Sequence, residues 1–457
     1  MPDVAELRRA ARLQYKRAVL WTHARRGDLV CRLMLHEHLA DPYPLYEDIR
    51  ARGPVYRSRA GVQAVTAHEL CGQVLRDPAF IRRNEGPATA PAPRPPDGTA
   101  PEEGPARAQH AAPGEGTAPG SDGSGDGGGP AADAPGGGAS FLEGEVADHM
   151  RWRRLVAPAF RTRKIAEYRK RTEEVAHRLI DTALAKRDTF DLVTDFASPL
   201  PITVISELLG LTEIDVDRFA YYGLVTGRAI DGVRSVRQAN EFRAAARELD
   251  AMFTGLVRKR REEPGEDLVS ELLRPQDGDQ LPEQEIIGTC QLLLTAGFET
   301  TTNLVSNAAL RLLSDRAQWE ALVADPGLAP AVAEESLRFD PPVQYSIRVV
   351  RDTLTLRDVS LPAGTVLMLV LGAANRDPEV FPDPHRFDIT RSGAGQHLAF
   401  LSGAHYCVGA PLARMEADVA LRVLAERVPE LRRAGRLVRR PTAALRGLLN
   451  LPVSAVR

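Results

Sequence analysis

The chain has 457 residues, 43% hydrophobic and 26% charged, which is ordinary globular composition with ample material for a large core. Its 59 lysines and arginines nearly balance 61 aspartates and glutamates, so the net charge of −2 excludes the bulk positive field of a nucleic-acid-binding protein. Four cysteines, Cys31, Cys71, Cys290 and Cys407, stand far apart with neither zinc spacing nor a dense disulfide framework, which fits a reducing cytoplasm.

Residues 1–40 read as an N-terminal extension with a first helix, and a second unit begins at Asp41. Arginines at 8, 9, 12, 17, 25, 26 and 32 interrupt any apolar run of the ~18 residues that would cross a bilayer, so no membrane anchor is expected here. From Asp41 to Leu75 the pattern is helix, short strands, helix. In Gly86 to Ser140, 38 of 55 residues are Gly, Pro or Ala, and no Leu, Ile, Val, Met or aromatic residue occurs. Such a segment buries too little apolar surface to offset its ordering entropy and is expected to be a disordered insertion. Helical patterning resumes at Val146, and from Arg151 to about Arg261 apolar residues recur at three- and four-residue spacing. A further helix, with Pro282 in its first turn, is expected to run to about Asp315 as a core rod of roughly 50 Å. Between Val343 and Leu371, VQYSIRVV, LTLRDVSL and GTVLMLVL read as short strands. The expected class is mainly α with a small β part, without internal repeats.

Three stretches carry chemistry. In TAGFETTT a mid-helix Gly297 and three threonines work against helical stability. Ala296 and Gly297 precede Thr300 by four and three residues, so they are expected to leave space beside its hydroxyl; a packing notch for a crossing helix is the other reading. In EESLRFDPPVQ, Glu335 and Arg338 are three apart on a helix and can pair, as common surface pairs do. In FLSGAHYCVGAPLAR, Cys407 precedes a helix with Pro411 near its start, and the flanking glycines Gly403 and Gly409 let backbone approach something flat. A cysteine there feels the positive end of the helix dipole and can hold a thiolate, although a free cysteine is more often a small buried hydrophobe.

Phe400, Gly403, His405, Cys407 and Gly409 match F-x-x-G-x-[HR]-x-C-x-G, and the chain thereby resembles the cytochrome P450 superfamily. AGFETT is similar to its oxygen-binding helix, Glu335-Ser336-Leu337-Arg338 to its E-x-x-R, and AANRDPEVFPDPHRFDITR to the segment before its cysteine loop. The resemblance covers nearly all of 41–457 and is closest to soluble bacterial members, with 86–140 as an insertion. It implies the cytochrome P450 fold and one haem b, with Cys407 as axial thiolate. Glu299 and Thr300 would be the acid and alcohol that deliver protons during oxygen activation. Ala296 and Gly297 would lie against the haem pocket, as would Phe400. His149, Arg153, Arg348 and His405 would receive the haem propionates, anions that need charge-assisted donors in a poorly hydrated pocket. Glu335 and Arg338 would be structural.

The implied activity is monooxygenation of a small hydrophobic molecule, in secondary metabolism, by a cytoplasmic monomer. Electrons would come from a ferredoxin and its reductase, with the arginines of RWRRLVAPAFRTRK as a landing patch or simply a solvated helix face. Rival readings are a haem-thiolate binder or sensor without turnover, and a peroxide-driven or phenol-coupling enzyme. Two residues depart from the family pattern: Leu401 stands where Gly is usual, and Met150 replaces a common Thr.

Overall fold

The three- and four-residue apolar spacing becomes helix almost throughout. The computed structural model describes residues 4–35, 38–82, 146–186, 188–233, 235–275 and 281–455, and the Gly86 to Ser140 insertion lies outside them. The N-terminal region contains α1 (Val4–Arg25), α2 (Leu29–Met34), α3 (Tyr43–Arg50) and α4 (His68–Arg76). Asp28 caps α2 by accepting from Cys31 N at 2.9 Å, and also accepts from Ser58 Oγ at 2.9 Å. Val30 and Leu33 are buried with Tyr46 and Met368. The packed body thus reaches back to Leu29, further than a boundary at Asp41 would place it.

The helical body comprises α5 (Val146–Val156), α6 (Thr162–Lys186), α7 (Pro199–Leu209), α8 (Val216–Ile230), α9 (Val236–Glu262), α10 (Leu268–Leu273), α11 (Glu283–Leu312) and α12 (Arg316–Ala324). After these come α13 (Ala329–Phe339), α14 (Leu371–Ala374) and α15 (Ala410–Arg427). Helix α11 is the central rod, 30 residues and about 45 Å long. It is buried over most of its circumference because α7, α8, α9, α13 and α15 all pack against it. It ends at Leu312, not Asp315, and Pro282 is its N-cap, with ψ of 148°, not a first-turn residue. An extended N-cap is where a proline that lacks an N–H costs nothing.

The main sheet has strand order β1-β2-β8-β5-β3, formed by β1 (Tyr56–Arg57), β2 (Val62–Val65), β3 (Phe80–Ile81), β5 (Ser346–Val350) and β8 (Val366–Leu369). β2 and β8 are parallel, Val62 opposite Val366, so the N-terminal strands are completed by strands from the far end of the chain. LTLRDVSL, expected as a strand, is instead a hairpin of β6 (Leu354–Leu356) with β7 (Val359–Leu361). β4 (Thr189–Asp191), β9 (Leu431–Arg433) and β12 (Pro452–Ala455) form a second sheet. β10 (Val438–Arg439) pairs with β11 (Leu448–Asn450).

Candidate active site

The cysteine loop is tied by backbone hydrogen bonds. Cys407 N donates to Phe400 O at 2.9 Å, and Tyr406 N donates to Gly403 O at 3.1 Å. Gly403 is required twice: its φ is +68°, and an added Cβ would lie 2.6 Å from Leu75 O at the end of α4. Leu401 also has a positive φ, +61°, which explains why glycine is usual there. Its side chain packs on the apolar cluster of Val65, Leu70 and Leu75, offsetting a strain of about 1 kcal/mol. Gly409 is unstrained at φ −82°, and an added Cβ would make only an ordinary 3.9 Å contact with Cys407 Sγ, so neither backbone conformation nor protein packing demands glycine there. The ring of Phe400 is covered by the Arg414 guanidinium at 4.5 Å, and Arg414 is fixed by Glu334 at 2.7 Å.

Among the four cysteines, Cys407 alone is exposed. Burial pushes the Cys31 thiol up to about 12, and those of Cys71 and Cys290 higher still. Desolvation by the surrounding protein also raises the Cys407 thiol. Backbone N–H groups of Gly409 and Ala410 and the charges of Arg153 and Arg414 pull in the other direction, toward a thiolate.

Helix α5 is stitched to this loop. His149, 3% exposed, meets Ala404 O at 3.2 Å through Nε2. A carbonyl only accepts, so that nitrogen carries the proton. The His149 ring lies 4.3 Å from that of His405, and Arg153 Nη1 donates to Tyr406 O at 2.6 Å. Trp152 anchors the helix on α11 through Thr289 at 2.6 Å. The structure therefore brings His149, Arg153 and His405 together at the cysteine loop. Arg348, 1% exposed, stands on β5 with Nη1 donating to Ser346 Oγ at 2.9 Å and Ile347 O at 2.8 Å.

On α11, Ala296 is exposed although most of this helix is buried, so a hollow opens on that turn. Thr300 is half-buried, its hydroxyl donating to Ala296 O at 2.8 Å. Gly297 does something else. An added Cβ would come 3.3 Å from Ile205 of α7, so this glycine is the notch for a crossing helix and does not clear space beside Thr300. Glu299, 3% exposed, has its carboxylate 2.5 Å from the Arg440 guanidinium. The contact lacks hydrogen-bond alignment, and both carboxylate oxygens are without a donor among the described residues. Burial raises the Glu299 pKa more than Arg440 lowers it.

Arg440 has no sequence signal marking it. Glu416 of α15 was equally silent: it is buried, its pKa is pushed up to about 8, and the hydroxyl of Thr301 beside it opposes that rise.

The E-x-x-R pair is not a surface pair. Glu335 and Arg338 are both fully buried and joined twice at 2.8 Å. Arg338 also donates to the carbonyls of Asn375, Pro384 and Arg386 at 3.0 to 3.1 Å. A third member, Arg391, reaches Glu335 at 3.3 Å, and Asp388 N donates to the same oxygen at 2.9 Å. Arg391 sits within the FDITR segment, but nothing local marks it as a partner of Glu335.

The donor set suits a haem: an accessible sulfur before a helix, and the cationic or N–H donors His149, Arg153, Arg348 and His405 for two carboxylates. Comparison with known proteins decides the family. The cytochrome P450 family profile matches residues 235–427. The cytochrome P450 monooxygenase PikC of Streptomyces venezuelae is 37% identical over 427 residues, covering 91% of each chain. The chain belongs to the cytochrome P450 family. The 6-deoxyerythronolide B hydroxylase of Saccharopolyspora erythraea is 38% identical over 310 residues, 67% of this P450 and 75% of that relative. The crystal structure of Mycobacterium smegmatis CYP164A2 in its ligand-free state superposes with a TM-score of 0.77 at 34% identity, covering 94% of this chain and 99% of that one. The mainly helical P450 fold is thus present, and the protein is a haem-thiolate P450 monooxygenase. Among the described residues no helix is long and apolar enough to cross a membrane.

Proposed function

We propose that Cys407 is the axial ligand of a haem b and that the chain hydroxylates or epoxidises a hydrophobic secondary metabolite in the cytoplasm. The observation that carries this is the thiol itself: among the four cysteines it alone is exposed, on a loop whose backbone bond from Cys407 N to Phe400 O holds it just before α15. Bound haem activates dioxygen and supplies the oxidising power, favoured by electron donation from the thiolate. The chain's own side chains do the rest. His149, Arg153, Arg348 and His405 donate to the propionates, Phe400 and Ala296 wall the pocket, and Glu299 and Thr300 move protons. Glu335 and Arg338 hold the meander.

Support for the substrate class comes from the relatives, one of which is named for hydroxylating 6-deoxyerythronolide B. We assign residues 41–457, with the flanking Leu29 to Leu33 packing, to one haem domain working as a monomer. The electron donors are a ferredoxin and its reductase. Arg154, Arg161 and Arg163 are exposed and offer an acidic partner positive charge, whereas Arg151 is drawn to Glu285 at 3.4 Å and Arg153 to the cysteine loop. The landing patch is therefore smaller than the run of arginines suggests.

The test is the absorption of the reduced protein with carbon monoxide. Wild type should show the red-shifted band of thiolate ligation, and Cys407→Ser should lack it; a thiolate spectrum in that variant would sink the assignment. Mass spectrometry of metabolites from cells with and without the protein then identifies the substrate.

A further inference from the structure

Away from the cysteine loop, segments from both ends of the chain meet around a cleft of about 560 Å³ that gathers four arginines. Arg311 reaches it from the last turn of α11, Arg376 from the loop after α14, Arg439 from β10 and Arg446 from the loop before β11. The counter-charge among them is a single buried carboxylate, Asp340. It pairs with Arg311 Nη2 at 2.8 Å and with Arg446 Nε, and accepts from the Tyr43 hydroxyl at 2.8 Å. Although burial pushes the Asp340 carboxyl up, the charges of Arg446, Arg311, Arg376 and Arg439 hold it well below the usual carboxylate range. Two further acids line the cleft, but Asp41 accepts from Tyr43 N at 3.3 Å and Glu47 pairs with Arg50 at 3.0 Å. Positive charge is left over.

The donors are not used up either. Arg446 is satisfied, since besides Asp340 it donates to Leu39 O at 2.9 Å and Ala40 O at 3.2 Å. Arg376 donates to Phe339 O through Nε and Nη2 at 2.9 and 2.6 Å, and its Nη1 makes no hydrogen bond among the described residues. Arg311 Nε is shielded from solvent without an acceptor. Arg439 goes furthest: its side chain makes no hydrogen bond or ion pair among the described residues, and Nη1 is shielded from solvent without an acceptor. Burial and the charge of Arg446 draw the Arg439 pKa down to about 10, Arg311 adding to them and Asp340 opposing, so the side chain is a guanidinium at neutral pH. A cation desolvated in this way is costly until an anion meets it.

We propose that this cleft is a binding site for a phosphate group, as inorganic phosphate or a phosphate monoester, with Arg439, Arg376 and Arg311 as its donors. Guanidiniums arriving from three separate segments suit a tetrahedral oxyanion better than a flat monocarboxylate, because its oxygens point in several directions and each planar fork takes one or two of them. When occupied, the site ties the end of α11 and the segment after α14 to β10, and it neutralises the charge that Asp340 leaves over.

Equilibrium dialysis of the haem-loaded protein against radiolabelled inorganic phosphate reads this directly. One phosphate should bind per chain, and chloride or acetate at equal ionic strength should not displace it. Phenyl phosphate separates the two sources: competition stronger than that of inorganic phosphate assigns the site to an ester, and weaker competition assigns it to the free ion. Arg439→Gln should weaken binding at least about tenfold, the effect of losing one charge-assisted hydrogen bond. Without phosphate the same variant should unfold thermally no earlier than wild type, because this side chain has no bond to lose and its removal relieves repulsion with Arg446 and Arg311. A lower unfolding temperature there makes Arg439 a structural prop and overturns the proposal. Arg439→Lys, which keeps the charge without the fork, should bind severalfold more weakly. Absence of stoichiometric phosphate on wild type overturns the proposal, as does wild-type affinity in Arg439→Gln. Should that variant not fold, wild-type affinity in Arg439→Lys overturns it equally.

Discussion

Two buried glutamate and arginine pairs in this molecule are built in opposite ways. Glu335 and Arg338 meet at two aligned contacts of 2.8 Å, with three carbonyls, Asp388 N and Arg391 completing the set. Glu299 and Arg440 meet as charges at 2.5 Å, and the carboxylate has no aligned donor among the described residues. Desolvating a charge pair is repaid only when its remaining donors and acceptors are satisfied. The first pair meets that condition and locks three chain segments; the second does not, since its carboxylate oxygens have no hydrogen-bond partner among the described residues.

The sharpest way to break this contrast is at the locked pair. Arg338→Ala should cost about 3–5 kcal/mol, because it removes the two-pronged partner of buried Glu335 and strands three carbonyls, and haem content together with thermal unfolding will show it. Arg338→Lys should be almost as damaging, since one ammonium cannot replace a two-pronged contact plus three further bonds. Wild-type stability in Arg338→Lys would end the comparison.

A third buried glutamate extends the series, because Glu416 has no arginine acting on it among the described residues. Its pKa is raised, so the folded state favours the protonated form. That contribution is fully present below the ordinary value of 4.5 and is lost as pH rises through about 8. Glu416→Gln should therefore match wild type near pH 4 and exceed it above pH 8 by a margin on the order of 4 kcal/mol, measured by denaturant unfolding across pH. A constant difference across that range would contradict the burial argument.

At the unlocked pair the stability effect should be small and the functional effect large. Glu299→Gln is expected to alter unfolding free energy by only about 1 kcal/mol, because no aligned hydrogen bond is lost, yet to lower product formed per NAD(P)H. Stability loss comparable to Arg338→Ala would place Glu299 in the structural class instead. Smallest of all is Leu401→Gly. Release of about 1 kcal/mol of left-handed strain is set against lost packing on Leu70 and Leu75, leaving thermal stability nearly unchanged.

What was readable in advance follows from how local each signal is. The cysteine loop, the E-x-x-R and the AGFETT turn are short, and their meaning depends on residues within one or two turns. Gly403 illustrates this, since its positive φ is a property of the loop itself. Gly297 left two readings open, and the structure takes the packing notch. A mid-helix glycine announces that something comes close, but only the placement of α7 shows that the something is Ile205. Arg391 and Arg440 gave no signal because an arginine in a polar stretch looks the same whether it faces water or a buried carboxylate.

The sequence by itself determined the helical class, the long apolar rod and the short strands after Val343, and it set Cys407 apart on a glycine-flanked turn before a helix, because periodicity and tight-turn chemistry are written in neighbouring residues. Only the tertiary structure decided which buried carboxylate is held by aligned hydrogen bonds and which meets its cation without them. That distinction depends on hydrogen-bond geometry between segments far apart in the chain, and desolvation, which sets its energy, exists only once α8, α11 and the C-terminal hairpin have closed around the charge.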